Sequence, residues 1–112
     1  MSKRDAAVLL EDIRDAMRKV MIYVEGMDQA AFIADEKTVD AVVRNISVIG
    51  EAAKQLPEDF KELHTEIPWA QMAGMRNRIV HDYAGVDLEI VWRVVSDSLP
   101  DLTAAIDKIR MA

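Results

Sequence analysis

DEKTVDAVVRNISVIGEAAKQLP, residues 35–57, decides the fold. Val39, Val42, Val43, Ile46, Ile49, Ala53 and Leu56 recur at three- and four-residue spacing, which lines them up along one stripe of an α-helix. Asp35 stands where an N-terminal cap belongs, and Pro57 cannot continue the helix. Gly50 lies inside the stripe. A helical glycine costs about 1 kcal/mol relative to alanine, so close approach of another helix is the expected reason for it.

The same reading extends outward on both sides. A first helix runs from about Arg4 to Val24, with Leu10, Ile13, Met17, Val20, Met21 and Val24 on its buried stripe, and Gly26 ends it. Asp28 caps a short turn carrying Ala31, Phe32 and Ile33. Beyond Pro57 a charged connector from Glu58 to Glu66 follows, pinned to the body by Phe60 and Leu63. Pro68 suits the first position of a third helix, whose stripe is Met72, Met75 and Ile79 and whose terminating left-handed residue is Gly85. Asp87 caps the last helix, with Leu88, Val91, Trp92, Val95, Leu99, Leu102, Ile106 and Ile109 on its stripe. Pro100 should kink or split that helix near Leu99. No strand-like alternation bounded by turns is visible. The sum is an all-α, antiparallel bundle of four to five helices, a single domain over residues 1–112.

A chain of 112 residues, 51% hydrophobic, can bury a real core, roughly 65% of its unfolded surface. It has no cysteine, which removes a disulfide framework and fits a reducing compartment. No secretory leader is recognisable, and no apolar run approaches the ~20 residues that span a bilayer. A cytoplasmic protein with no membrane partner is expected. The net charge of −6 argues against broad, sequence-blind nucleic-acid binding but leaves room for a small basic site on an acidic body. It also suits a partner with a basic face.

Arg76-Asn77-Arg78-Ile79-Val80-His81-Asp82-Tyr83 carries the chemistry. It brings an anion binder, a proton carrier and a phenol into a few turns of chain. His81 titrates near neutrality and can take a proton from a ribose 2′-hydroxyl or give one to a leaving oxygen. Arg76 can hold a phosphate and offset the charge that builds in the transition state. Asn77 can orient His81 or the substrate. On an ideal helix, Arg76 and Tyr83 differ by about 20°, Asn77 and His81 by about 40°, and Arg76 and His81 by about 140°. Arg76 and His81 then converge only if the helix tightens or ends at His81, or if a second chain completes the site, which makes a homodimer useful. The bland alternatives remain open at this point. A lone histidine at a helix end can simply answer the helix dipole, an Arg-Asn-Arg run can be a solvated face, and a tyrosine there can be half-buried packing.

Other chemistries have less behind them. His64 and His81 are far apart in sequence and no two-histidine helical motif exists, so no metal is expected. There is no glycine-rich phosphate loop and no nucleophile elbow, and no cofactor is expected. The seven methionines sit mostly on helix stripes. Glu51 and Lys54, beside Gly50, read as exposed charges, and Trp69 and Trp92 as core or interface residues.

The motif resembles the Arg-x4-His-x-Tyr signature of the HEPN superfamily, and the wider chain resembles the HepT toxins of HepT/MntA modules. The likeness includes Ile46-Ser47-Val48-Ile49-Gly50-Glu51-Ala52-Ala53-Lys54, the approach Ile67 to Asn77, the exit Val86-Asp87-Leu88-Glu89-Ile90-Val91-Trp92, and Leu99-Pro100. The resemblance implies a HEPN helical bundle working as a homodimer, and metal-independent RNA cleavage by Arg76 and His81 with Asn77 in support. It implies neutralisation by a small nucleotidyltransferase antitoxin of the MntA type that transfers AMP to Tyr83. A non-catalytic HEPN module, binding a nucleotidyltransferase or a nucleotide through the same Arg76 face, is the alternative; a plain structural dimer is a third. Asp82 fills the free position of the motif, as an orienting group for His81 or as a solvated one.

Overall fold

The computed structural model describes residues 5–82 and 85–109. Its spine is a pair of long helices, α1 (Ala6–Tyr23) and α3 (Glu36–Gln55), packed along each other. Their apolar stripes close on one core: Leu10, Ile13 and Val20 from α1 and Val42, Ile46, Ile49 and Ala53 from α3 are fully buried. Each start is capped as the sequence indicates. The Asp5 carboxylate accepts from the Ala7 N–H at 3.0 Å, and Asp35 from the Thr38 N–H at 3.2 Å. Arg4, the expected first residue of α1, lies outside the described residues. Gly26, at φ 78°, reverses the chain after α1. Asp28 caps α2 (Gln29–Ala34) through the Ala31 N–H at 2.8 Å, and α2 buries Phe32 against Trp92 with ring centroids 5.3 Å apart.

Past Pro57, α4 (Glu58–Leu63) buries Phe60 beside His64 and Trp69, at centroid distances of 4.8 and 5.9 Å. Leu63 does not pin this segment: it is 77% exposed, because Phe60 alone occupies the inward face of so short a helix. Pro68 stands at the cap, one position before the helix it was expected to begin. The Trp69 indole is buried and donates to the His64 carbonyl at 2.9 Å.

The expected third helix is two helices of five residues each, α5 (Trp69–Ala73) and α6 (Met75–Ile79), joined at Gly74. The chain then becomes extended. β1 (Val80–Asp82) pairs antiparallel with β2 (Gly85–Val86), a small hairpin that the apolar pattern did not reveal. Gly85 is therefore a strand residue and not a left-handed helix terminator; among the described glycines only Gly26 has positive φ.

The last helix is continuous in path but not in hydrogen bonding. α7 (Leu88–Arg93), capped by Asp87 through the Ile90 N–H at 3.2 Å, leads into a π-type turn over Val94–Ser98 and then α8 (Leu99–Asp107). Pro100 does not split it. The residues around it keep right-handed helical angles, from Arg93 at −62°, −40° to Leu99 at −64°, −39°. A proline lacks an N–H and its ring crowds the carbonyl four residues earlier; the wider turn just before it relieves that conflict. Arg14 fastens the far end. Its guanidinium donates to the Ile106 and Ile109 carbonyls at 3.1 and 2.6 Å and lies 3.8 Å from the Asp107 carboxylate. Those carbonyls belong to the unsatisfied end of a helix, where a cation is favoured. Among the described residues, no helix is long and apolar enough to cross a membrane.

Candidate active site at the end of helix α6

α6 is held by its two ends. Met75 and Ile79 are buried, and Arg76, Asn77 and Arg78 between them are exposed. At about 100° per residue, Arg76 and Arg78 leave the helix on opposite flanks and Asn77 occupies the crest. Among the described residues neither arginine forms an ion pair, so both guanidinium groups are available to an anion. α6 rests on α3 and α7. Behind it, α5 presses on Gly50: a Cβ there would stand 3.3 Å from the Ala73 carbonyl oxygen and 3.4 Å from that of Met72. The close approach expected of Gly50 is real, and it fixes where the break at Gly74 lies.

The helix stops at Ile79, before the histidine. Val80 has extended angles, φ −106° and ψ 108°, while its N–H still bonds to the Arg76 carbonyl. Across the hairpin Val80 pairs with Val86 and Asp82 with Gly85. Two steps on β1 therefore match one step on β2, and His81 is the extra residue, at a β-bulge. Bulges bend a strand and re-aim the residue they carry. The Asp87 N–H bonds to the Ile79 carbonyl at 3.0 Å, so the exit of the hairpin is tied back to the end of α6.

This corrects the angles expected from a continuous helix. The alignment of Arg76 with Tyr83, the shared face of Asn77 and His81, and the 140° between Arg76 and His81 all presume helix beyond Ile79. The structure instead follows the second possibility, a helix that ends near the histidine. The side chains of His81 and Asp82, and Tyr83 as a whole, lie outside the described residues.

Elsewhere the expected bystanders are bystanders. Glu51 and Lys54 are exposed, 4.0 Å apart. His64 packs on Phe60 with its Nδ1 3.7 Å from the Glu66 carboxylate. Asp15 has its pKa lowered by the hydrogen bond from Arg18, on α1 and not on the motif. No group of three or more His, Cys, Asp or Glu stands close enough to hold a metal ion among the described residues.

One feature of this region was missed in the sequence. A cleft of about 380 Å³ opens on the Arg78 flank of α6, against the π-type turn and α8, with Asp97 and Asp101 on its far wall. The only available signal was that these two aspartates are four residues apart on one helix face.

Comparison with known proteins agrees with this architecture. The family described as "Ribonuclease HepT-like" matches residues 13–109. A protein named "Probable ribonuclease HepT" from Thermococcus cleftensis is 41% identical over 108 residues, covering 96% of this chain and 98% of the relative. A protein from Methanocaldococcus jannaschii, provisionally named an RNase, is 38% identical over 97% of this chain and 90% of its own length. Another so named, from Caldanaerobacter subterraneus subsp. tengcongensis, is 35% identical over 89% of each chain. No solved structure matches.

Proposed function

Because this chain belongs to the ribonuclease HepT-like family, we propose that it is a metal-independent endoribonuclease in which Arg76 and His81 act on the RNA backbone. The observation that carries the reading is the break at Ile79. α6 presents an unpaired Arg76, and the chain then leaves the helix so that His81 falls at a bulge only two residues later.

Cleavage begins when His81 takes the proton of a ribose 2′-hydroxyl. The oxygen attacks the adjacent phosphorus and the 5′-oxygen departs with a proton, leaving a 2′,3′-cyclic phosphate and a 5′-hydroxyl end. Arg76 balances the charge on the non-bridging oxygens, and Asn77 steadies the substrate on the crest. Attack and departure occur on opposite sides of phosphorus, so one histidine serves only one side well. His64 is committed to the Phe60 cluster. A homodimer, in which a second copy supplies the other His81, meets this need. DNA lacks the 2′-hydroxyl and is not cut.

The same reading includes regulation. The protein is the toxin of a HepT/MntA-type (type VII) toxin–antitoxin pair acting in the cytoplasm, and an MntA-type nucleotidyltransferase silences it by AMPylation of Tyr83. The tyrosine stands two residues after His81 in sequence, so AMP there adds anionic bulk beside the position where an RNA phosphate binds.

The test is cleavage of a defined RNA by purified protein in EDTA. Wild type yields cyclic phosphate ends, while Arg76→Ala and His81→Ala each lose roughly a thousandfold or more. Arg76→Lys retains charge but not the fork and recovers only part of the rate. Activity that survives His81→Ala, or that appears only when a divalent cation is added, overturns the mechanism.

A further inference from the structure

The cleft on the Arg78 flank of α6 has the size and chemistry of a base-binding site. Its volume of about 380 Å³ falls in the range of small-molecule pockets. Met75, Leu102 and Ala105 line it with apolar surface, and its polar groups include Arg78 from α6 and Asp97 and Asp101 from the π-type turn and α8. Asp97 accepts from the Ser96 hydroxyl at 3.2 Å. Asp101 and Arg78 have neither an ion-pair nor a hydrogen-bond partner among the described residues, so an acceptor and a donor face the cleft unfilled. The π-type turn forms part of this wall, and such turns recur at functional sites.

We propose that this cleft receives a guanine base of the RNA strand and sets the sequence preference of cleavage; the proposal rests on the ribonuclease reading above. Acid on the rim repels phosphate but not a neutral base, so a nucleotide enters base first and leaves its backbone on the arginine-bearing crest. Among the four RNA bases only guanine carries two adjacent N–H donors on its pairing edge, N1–H and N2–H, and a carboxylate accepts both at once. Asp101 fills that role. The guanine O6 and N7 are acceptors and suit the Arg78 guanidinium. Uracil offers a single N–H between two carbonyls, and adenine and cytosine each offer one amino group beside an unprotonated ring nitrogen; each leaves the carboxylate partly unfilled. Arg76 and Arg78 lie on opposite flanks of one helix, roughly 10–12 Å across. A strand draped over Asn77 would thus place the guanine at a fixed, short distance in sequence from the bond that is cut.

Two measurements test this. The first cleaves a randomised RNA pool with wild type, Asp101→Asn and Arg78→Ala and sequences the new ends. Wild type enriches guanine at one position near the cut, by roughly 10- to 100-fold. In Asp101→Asn, whose amide presents a donor to N1–H or N2–H, cleavage beside guanine falls to the rate seen beside other bases. No enrichment, enrichment of another base, or a guanine preference that survives both substitutions overturns the proposal. The second titrates guanosine, adenosine, cytidine and uridine into the protein while following backbone amide resonances. Guanosine shifts the amides of residues 97–105 at the lowest concentration, and Asp101→Asn abolishes the effect. If a basic peptide such as acetyl-Leu-Lys-Arg-Leu-amide occupies the cleft more tightly than guanosine, the site belongs to a protein partner and the proposal fails. Absence of any RNA cleavage by wild type defeats the ribonuclease reading instead, and the nucleoside titration still decides the cleft.

Discussion

Gly50 and Ala73 touch through backbone: the position of a Cβ on residue 50 lies 3.3 Å from the Ala73 carbonyl oxygen. That oxygen is part of the chain that turns at Gly74 into α6, so the middle of α3 sets the placement of Arg76 from behind. Gly50→Ala gains helix propensity but forces a carbonyl group to give way. A net loss of about 1–3 kcal/mol is expected, read as a lowered midpoint in urea unfolding. Cleavage by the folded fraction should fall too, because α6 is displaced. A stabilised Gly50→Ala protein with full activity would show the contact to be unimportant.

Asp87 joins the hairpin to the last helix. Its carboxylate caps α7 and its N–H holds the Ile79 carbonyl. Asp87→Ala removes the side-chain cap and keeps the backbone bond. Stability should drop by about 1 kcal/mol. The catalytic constant should fall roughly tenfold, since the geometry between α6 and β1 loosens. Asp87→Asn or Asp87→Ser, which also cap, should recover most of both.

Arg14 closes the end of α8 from a position more than ninety residues earlier in the chain. Its side chain is 28% exposed and bonds two carbonyls. Arg14→Met keeps the stem and leaves those carbonyls to water. A loss of about 2 kcal/mol is expected, lowering the melting temperature by roughly 4 °C per kcal/mol. The cleavage rate per folded molecule should not change, as the motif lies elsewhere. An unchanged melting temperature would mean that the two bonds contribute nothing net.

Tyr83→Phe separates silencing from catalysis. With antitoxin and ATP, cleavage by wild type should decay, and cleavage by Tyr83→Phe should persist at its initial rate. Mass spectrometry should find AMP on the first protein and none on the second at this position. A Tyr83→Phe protein that remains fully controlled would assign silencing to another residue.

The long elements were legible because their physics is local. The stripe from Val39 to Leu56, the caps at Asp28, Asp35 and Asp87 and the reversal at Gly26 each depend on residues within a few positions of one another. The break in the third helix was not legible, although Gly74 lies in it, because Met72, Met75 and Ile79 keep helical spacing on either side. The hairpin was hidden for a related reason: five described strand residues cannot show an alternation, and its register is fixed by the bond from Asp87 to Ile79. The motif residues were named correctly as a set of reactive groups, but their relative directions were not. Those depend on where α6 stops. The Arg78 cleft was hidden because its walls are about twenty residues apart in sequence.

The π-type turn in the last helix holds one residue more than a regular turn would. Removing any one residue between Val94 and Ser98 would restore ordinary winding and rotate everything downstream by about 100°. Leu99 and Ile106, both fully buried, would then swing away from the core, and Asp101 would leave the cleft. The helix therefore works as two segments set at different phases, one facing Phe32 through Trp92 and the other facing Arg14. In this short stretch, chain length constrains the molecule more tightly than residue identity does.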